Sequence, residues 1–434
     1  MTKRIAEWVV RLEWPILAIL APLLLFPDAK RSVALLGIPL IWIARKIARG
    51  RFVRRTPLDG AIALMLLMVL VSLYATFDIA FSLPKIAGIL LGIAVFYAMV
   101  ELDARWSRWA VRVYLAGGLG LALLAILGTQ RIGKLPVLSS IISRLPLILR
   151  GLPGAEGGFQ PNEVAGALVW FIPLYFAFGA SVWRSWRQKE EGMGKVVVLW
   201  LAGVVTTMVL VFTQSRSAMV GFGLATLLLL AIAGRAGRII AGVIVIAGVV
   251  ALAIIGPSQA IDAFMGGRAT TDTVAGALDA SGRLEVWSRA LYAIQDFPFT
   301  GTGPNAFRRI VPVLYPLFTI SPDADIAHAH NHLLQAAVDL GLPGLVSYVA
   351  IWLVAGAMLV RIWQYGGGGM SRALAAGLGA GLAAHFVYGL TDTVALGAKP
   401  GVAWWALLGL AAARFLFIEQ DMEHKVQVSQ SEAS

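Results

Sequence analysis

Long apolar runs separated by short cationic ones dominate the chain, and one long polar island, roughly Pro257 to Gly341, breaks the rhythm. A helix needs about 20 residues to cross roughly 30 Å of hydrocarbon. About twelve runs are candidates by that ruler, near 14–28, 32–48, 59–76, 84–100, 109–127, 163–183, 195–212, 217–233, 238–256, 342–361, 372–390 and 401–418. Because each unsatisfied peptide group in lipid costs several kcal/mol, such runs predict helices. The expected organisation is nine membrane helices within residues 1–256, with an outer loop near 128–162. The island at 257–341, three more helices within 342–418 and a polar, disordered tail at 419–434 follow.

Composition agrees with an all-α polytopic integral membrane protein: 59% hydrophobic residues, 14% charged, and a mean hydropathy of +0.79. The net charge of +12 does not point to nucleic acid, because Lys and Arg cluster between apolar runs. Groups such as Arg45-Lys46-Arg49-Arg51-Arg54-Arg55, Arg105-Arg108-Arg112 and Arg184-Arg187-Lys189-Lys195 alternate with charge-poor turns. The positive-inside rule then places both termini in the cytoplasm and the island outside. The basic start, Met1-Thr2-Lys3-Arg4, reads as a retained first helix. With no cysteine in the chain, disulfides and thiolate metal sites are excluded. No internal repeat is evident and the span centres are almost free of charge, His385 excepted, which weakens a transporter reading.

Candidate chemistry therefore gathers on the outer face. Arg216 stands in Thr213-Gln214-Ser215-Arg216 at a tight outer turn. An interfacial arginine snorkelling to headgroups would explain it, but its polar neighbours favour bidentate binding of phosphate or pyrophosphate. Arg283 and Arg289 lie on an expected amphipathic helix with Ser281 as its N-cap, where a solvated helix face remains open. The turn Pro298 to Phe307 carries Gly-x-Gly without the preceding strand of a dinucleotide site. In Ala327-His328-Ala329-His330-Asn331-His332 the histidines admit a metal site, structural contacts, or one general base, and imidazole chemistry near neutral pH favours the base. Segment 132–152 reads either as an amphipathic helix along the outer interface or as a loop packed on the bundle.

Four segments, taken in order, carry a resemblance. His330-Asn331 followed by Gly341 and Gly344, Ser281-Gly282-Arg283 through Trp287, Pro298 to Phe307, and Gly158-Phe159-Gln160-Pro161-Asn162 resemble the motifs of the bacterial O-antigen ligase family. Arg216 falls at that family's Arg-x-x-x-Leu motif, although Val220 stands at the last position. The resemblance implies a GT-C-like fold and a glycosyltransferase of the bacterial inner membrane, active at the periplasmic face. Such an enzyme moves O-antigen from undecaprenyl pyrophosphate to lipid A-core. It further implies His330 as base and Arg216 and Arg283 as pyrophosphate ligands, with Asn331, Arg289, His328, His332, Gln160 and Asn162 contacting substrate. Membrane lipids are expected partners, and neither cofactor nor metal is expected, since two guanidiniums can take the charge of the leaving group. An O-antigen polymerase and a protein O-oligosaccharyltransferase are the nearest rivals; a lipid-glycan flippase is the rival from another class.

Overall fold

The apolar runs are helical throughout a computed structural model that describes residues 2–28, 30–131, 136–152, 155–260, 280–321 and 324–432. The helices are α1 (Thr2–Arg11), α2 (Glu13–Leu25), α3 (Gly37–Arg49), α4 (Asp59–Ala75), α5 (Ile79–Val100), α6 (Ala104–Gly128) and α7 (Pro136–Ile142). They continue with α8 (Pro161–Leu168), α9 (Ile172–Arg187), α10 (Met193–Phe212), α11 (Arg216–Ile232) and α12 (Arg235–Ile255). After the island's first residues come α13 (Ala280–Asp296), α14 (Phe307–Leu314), α15 (His332–Tyr365), α16 (Gly369–Gly389) and α17 (Gly401–Glu432). Among the described residues there is no strand, only the isolated bridges Thr129 with Phe159 and Leu152 with Ala155.

Among the described residues seven segments are long and apolar enough to span a bilayer, or eight if α1 and α2, bent by 67°, count as one. The chain is a polytopic membrane protein with fewer self-sufficient spans than the twelve expected. The shortfall has a physical cause. Near 14–28 and 32–48 the chain yields only 13-residue α-helices, α4 and α11 have 17 residues each, and the 21-residue α16 is diluted by its glycines, Arg372 and His385. α12 packs little against its neighbours and exposes Ile246, Val249 and Ile254, which makes sense only if lipid surrounds it.

α5 packs on α17, α9 and α11 on α16, and α4 on α15. Side-chain caps set two helix starts: Asp78 accepts from Phe81 N at 3.1 Å, and Asp103 from Arg105 N and Trp106 N. One face of the bundle carries Arg49 and Arg51 on Glu101 and Arg361 on Glu419. The opposite face gathers the ends of α4, α10 and α16 with the beginnings of α5, α8, α11, α15 and α17.

On that second face a smaller core forms from Val286, Ala290, Phe307, Val311, Ala329 and Val338. Its hinge is Gly341, where α15 breaks with φ 72° and ψ 177°. A Cβ there would fall 2.6 Å from Phe299 O, and one at Gly301, φ 64°, would fall 2.5 Å from Gly341 N. The two glycines lie face to face so that Leu342 N can donate to Pro298 O (2.7 Å) and Thr302 N to Val338 O (2.8 Å).

Two expectations need correction, and one open alternative is narrowed. The tail expected to be disordered is helical to Glu432, supported by the Lys425–Asp421 pair at i,i+4. Ser281 lies inside α13 rather than at its N-cap. Of segment 132–152, residues 132–135 lie outside the described residues, helix is confined to α7, and Ile148 N donates back to Leu127 O at the end of α6.

Candidate active site

His330 sits in the last turn before α15 with φ 49°, a left-handed conformation that a β-carbon normally avoids. The bend sends three consecutive side chains in different directions. Asn331 turns back to cap α15, accepting from Leu333 N (2.9 Å) and Leu334 N (3.1 Å) while its amide donates to Leu390 O (3.0 Å). His332 points into the bundle, 3.0 Å from the Tyr348 hydroxyl and packed edge-on against Trp352 and Phe386. His330 faces the loop after α16, where its Nδ1 lies 3.5 Å from Asp392 Oδ1.

Asp392 was not anticipated from the sequence. Burial pushes its carboxyl up, but the His330 contact and the charges of His330, His328 and Arg283 outweigh it and hold the group well below the usual carboxylate range. The signal available was positional: Asp392 is the sole acidic residue between Asp339 and Glu419. Its neighbour Thr391 shares a 2.6 Å hydroxyl contact with Ser217, which joins this loop to the start of α11.

Arg216 is the first residue of α11, following the buried turn Thr213-Gln214-Ser215, in which Gln214 also has a positive φ of 54°. Its charge is felt with that of Arg283 from α13, and Arg283 in turn acts on Asp392 and Tyr388. The structure thus assembles Arg216, Arg283, His330 and Asp392 from four separate elements. Lys85 of α5 adds positive charge that acts on both Lys399 and His328.

The His328 ring meets the His330 ring edge-on with centroids 4.3 Å apart, and its Nδ1 accepts from His330 N at 3.3 Å. Burial, then the neighbouring His330, lowers its pKa to about 3, so it is neutral at physiological pH. His328, His330 and Asp392 also present ligand atoms within 4.8 Å of one another, a donor set that suits a transition metal ion.

Other expected contacts have different jobs. Arg289 pairs with Glu285 at 3.2 Å and lies over Tyr292 and Phe318. Glu285 itself accepts from Phe318 N, Thr319 N and Ile320 N, which ties α13 to the turn after α14. Of the two carboxylates that precede the histidines in sequence, Asp325 pairs with Arg308 and Asp323 lies outside the described residues. Gln160 occupies the N-cap position of α8 without a side-chain cap bond. Asn162 reaches the site through its backbone, where its carbonyl accepts from Tyr388 Oη at 2.9 Å.

The O-antigen ligase family model matches residues 197–349, a segment that contains Arg216, Arg283 and His330 and stops short of Asp392. No curated protein matches the chain. The family match supports a member of the O-antigen ligase/polymerase superfamily and indicates ligase- or polymerase-type function at a membrane.

Proposed function

We propose that the chain is a metal-independent, inverting O-antigen ligase. It transfers O-antigen polysaccharide from undecaprenyl pyrophosphate to lipid A-core at the periplasmic face of the inner membrane, in a twelve-span, GT-C-like bundle with cytoplasmic termini. The observation that carries the reading is the His330–Asp392 pair, within reach of the charge of Arg283, which also acts on Arg216. Asp392 orients the imidazole through Nδ1, leaving Nε2 to accept the proton of the acceptor hydroxyl. That oxygen attacks the anomeric carbon of the donor sugar as the bond from this carbon to the phosphate oxygen breaks. The electron pair leaves on undecaprenyl pyrophosphate, whose growing charge Arg216 and Arg283 neutralise. One displacement inverts the anomeric centre and needs no carboxylate nucleophile.

The deciding experiment incubates purified protein with undecaprenyl-pyrophosphate-linked glycan and lipid A-core in EDTA, with Arg283→Ala as control. Higher-mass lipopolysaccharide that vanishes in the control is the expected result. Donor glycans joined to one another would instead make the enzyme a polymerase. The cluster of His328, His330 and Asp392 favours one second reading, a metal-assisted transfer. Activity lost in EDTA and restored by Zn²⁺ would establish it in place of the first.

A further inference from the structure

Beside the site, the extramembrane core exposes an apolar edge along α14 among the described residues. α14 buries Phe307 and Val311, yet Val313 is 75% exposed, Leu314 51%, and Phe318 in the following turn 82%. A contiguous apolar edge of this kind is costly against water.

Its surroundings indicate what covers it. Asn305 Nδ2 donates to Phe81 O at 3.1 Å, and the Arg309 guanidinium lies 4.9 Å from the Phe81 ring centroid. A Cβ on Gly303 would fall 2.5 Å from Thr76 Cβ. These contacts fix the start of α14 where α4 ends and α5 begins. Residues four apart share a helix face, so Val313 stands on the Arg309 side. The outward belt of the bundle reaches its rim at the same place, with Tyr74 94% exposed, Phe77 60% and Ile79 58%. The apolar edge of α14 therefore continues a lipid-facing belt. Arg309 has an aliphatic stem along that edge and a cationic head, the arrangement that suits a headgroup phosphate.

We propose that α14 and the turn Tyr315–Phe318 form an interfacial anchor, which lays Val313, Leu314 and Phe318 into the acyl side of the phospholipid leaflet bordering the site. Arg309 bonds headgroup phosphates there. The anchor fixes the height of the extramembrane core above the membrane, whatever reaction the site performs.

The absence of cysteine makes the test direct. Val313→Cys, Leu314→Cys and Phe318→Cys, each in the full chain, are spin-labelled and reconstituted in vesicles of phosphatidylethanolamine and phosphatidylglycerol. Collision rates with oxygen and with a water-soluble nickel chelate are compared with those at Tyr74→Cys, as the lipid reference, and Ser429→Cys, as the aqueous one. Oxygen-dominated collisions at all three sites, shifted toward the chelate when Arg309→Ala is added, are expected. Chelate-dominated collisions would overturn the anchor, and so would labels reached by neither reagent, which would mean that protein covers the edge. Should one variant fail to elute as folded protein, the exposed Pro316 is labelled in its place.

Discussion

His330 Nδ1 lies 3.5 Å from Asp392 Oδ1, while the second carboxyl oxygen of Asp392 is buried and has no hydrogen-bond partner among the described residues. His330 Nδ1 likewise has no hydrogen-bond partner among the described residues, so the two groups stand within charge reach of each other, and a carboxylate so placed favours the tautomer with its proton on Nδ1.

Asp392→Asn is therefore expected to lower kcat by about 10²- to 10⁴-fold, the range of a misoriented general base, with KM for donor little changed. A folded variant with wild-type kcat would remove Asp392 from the mechanism.

The three arginines should separate. Arg216→Ala and Arg283→Ala are each expected to cost about 10²-fold or more in transfer, and lysine to restore little, because a point charge cannot reproduce a bidentate fork. Arg289→Ala removes the Glu285 pair, a long bond to Ser288 Oγ and two ring contacts, none of them with Arg216, Arg283, His330 or Asp392, so it should lower stability while keeping activity within about threefold. Comparable losses in all three would return Arg289 to the substrate site.

Glu285 gives a pH signature of stability. Burial raises its pKa, but three backbone N–H groups and Arg289 lower it further, so the folded value lies below the unfolded one. Its stabilisation is present above the unfolded value of about 4.3 and is lost as pH falls through the folded value. Glu285→Gln should lose about 2–3 kcal/mol at pH 7, as expected for bonds to a charged acceptor. The Tm gap between wild type and variant should then narrow in acid; a gap independent of pH would contradict the ionised carboxylate.

Gly341→Ala should open the contact between the 298–303 turn and the α15 hinge. The left-handed φ alone costs about 1–2 kcal/mol, and the collision with Phe299 O adds to it. Thermal unfolding in detergent measures the loss; an unchanged Tm would mean that the hinge relaxes freely.

The sequence displayed the helices because long apolar runs leave the backbone no alternative in lipid. It could not show which runs suffice alone, since α2, α3, α4 and α11 look in one dimension like full spans. Arg216, Arg283 and His330 were legible from motif and position, whereas the Asp392 pairing is tertiary and crosses from the island to the loop after α16. The roles expected of Asn331 and His332 went astray for a local reason. A left-handed φ at His330 is invisible in the sequence, and it aims adjacent side chains at a helix cap and at an aromatic pocket instead of at one cleft.

The 2.6 Å contact between Ser217 and Thr391 sits one residue from Arg216 on one side and one residue from Asp392 on the other. The limb that would hold the leaving group and the limb that would steer the proton acceptor are thereby mounted on a single joint. In the proposed reaction a shift of either would be passed to the other, and severing that joint should unsynchronise donor binding and base alignment before it weakens either.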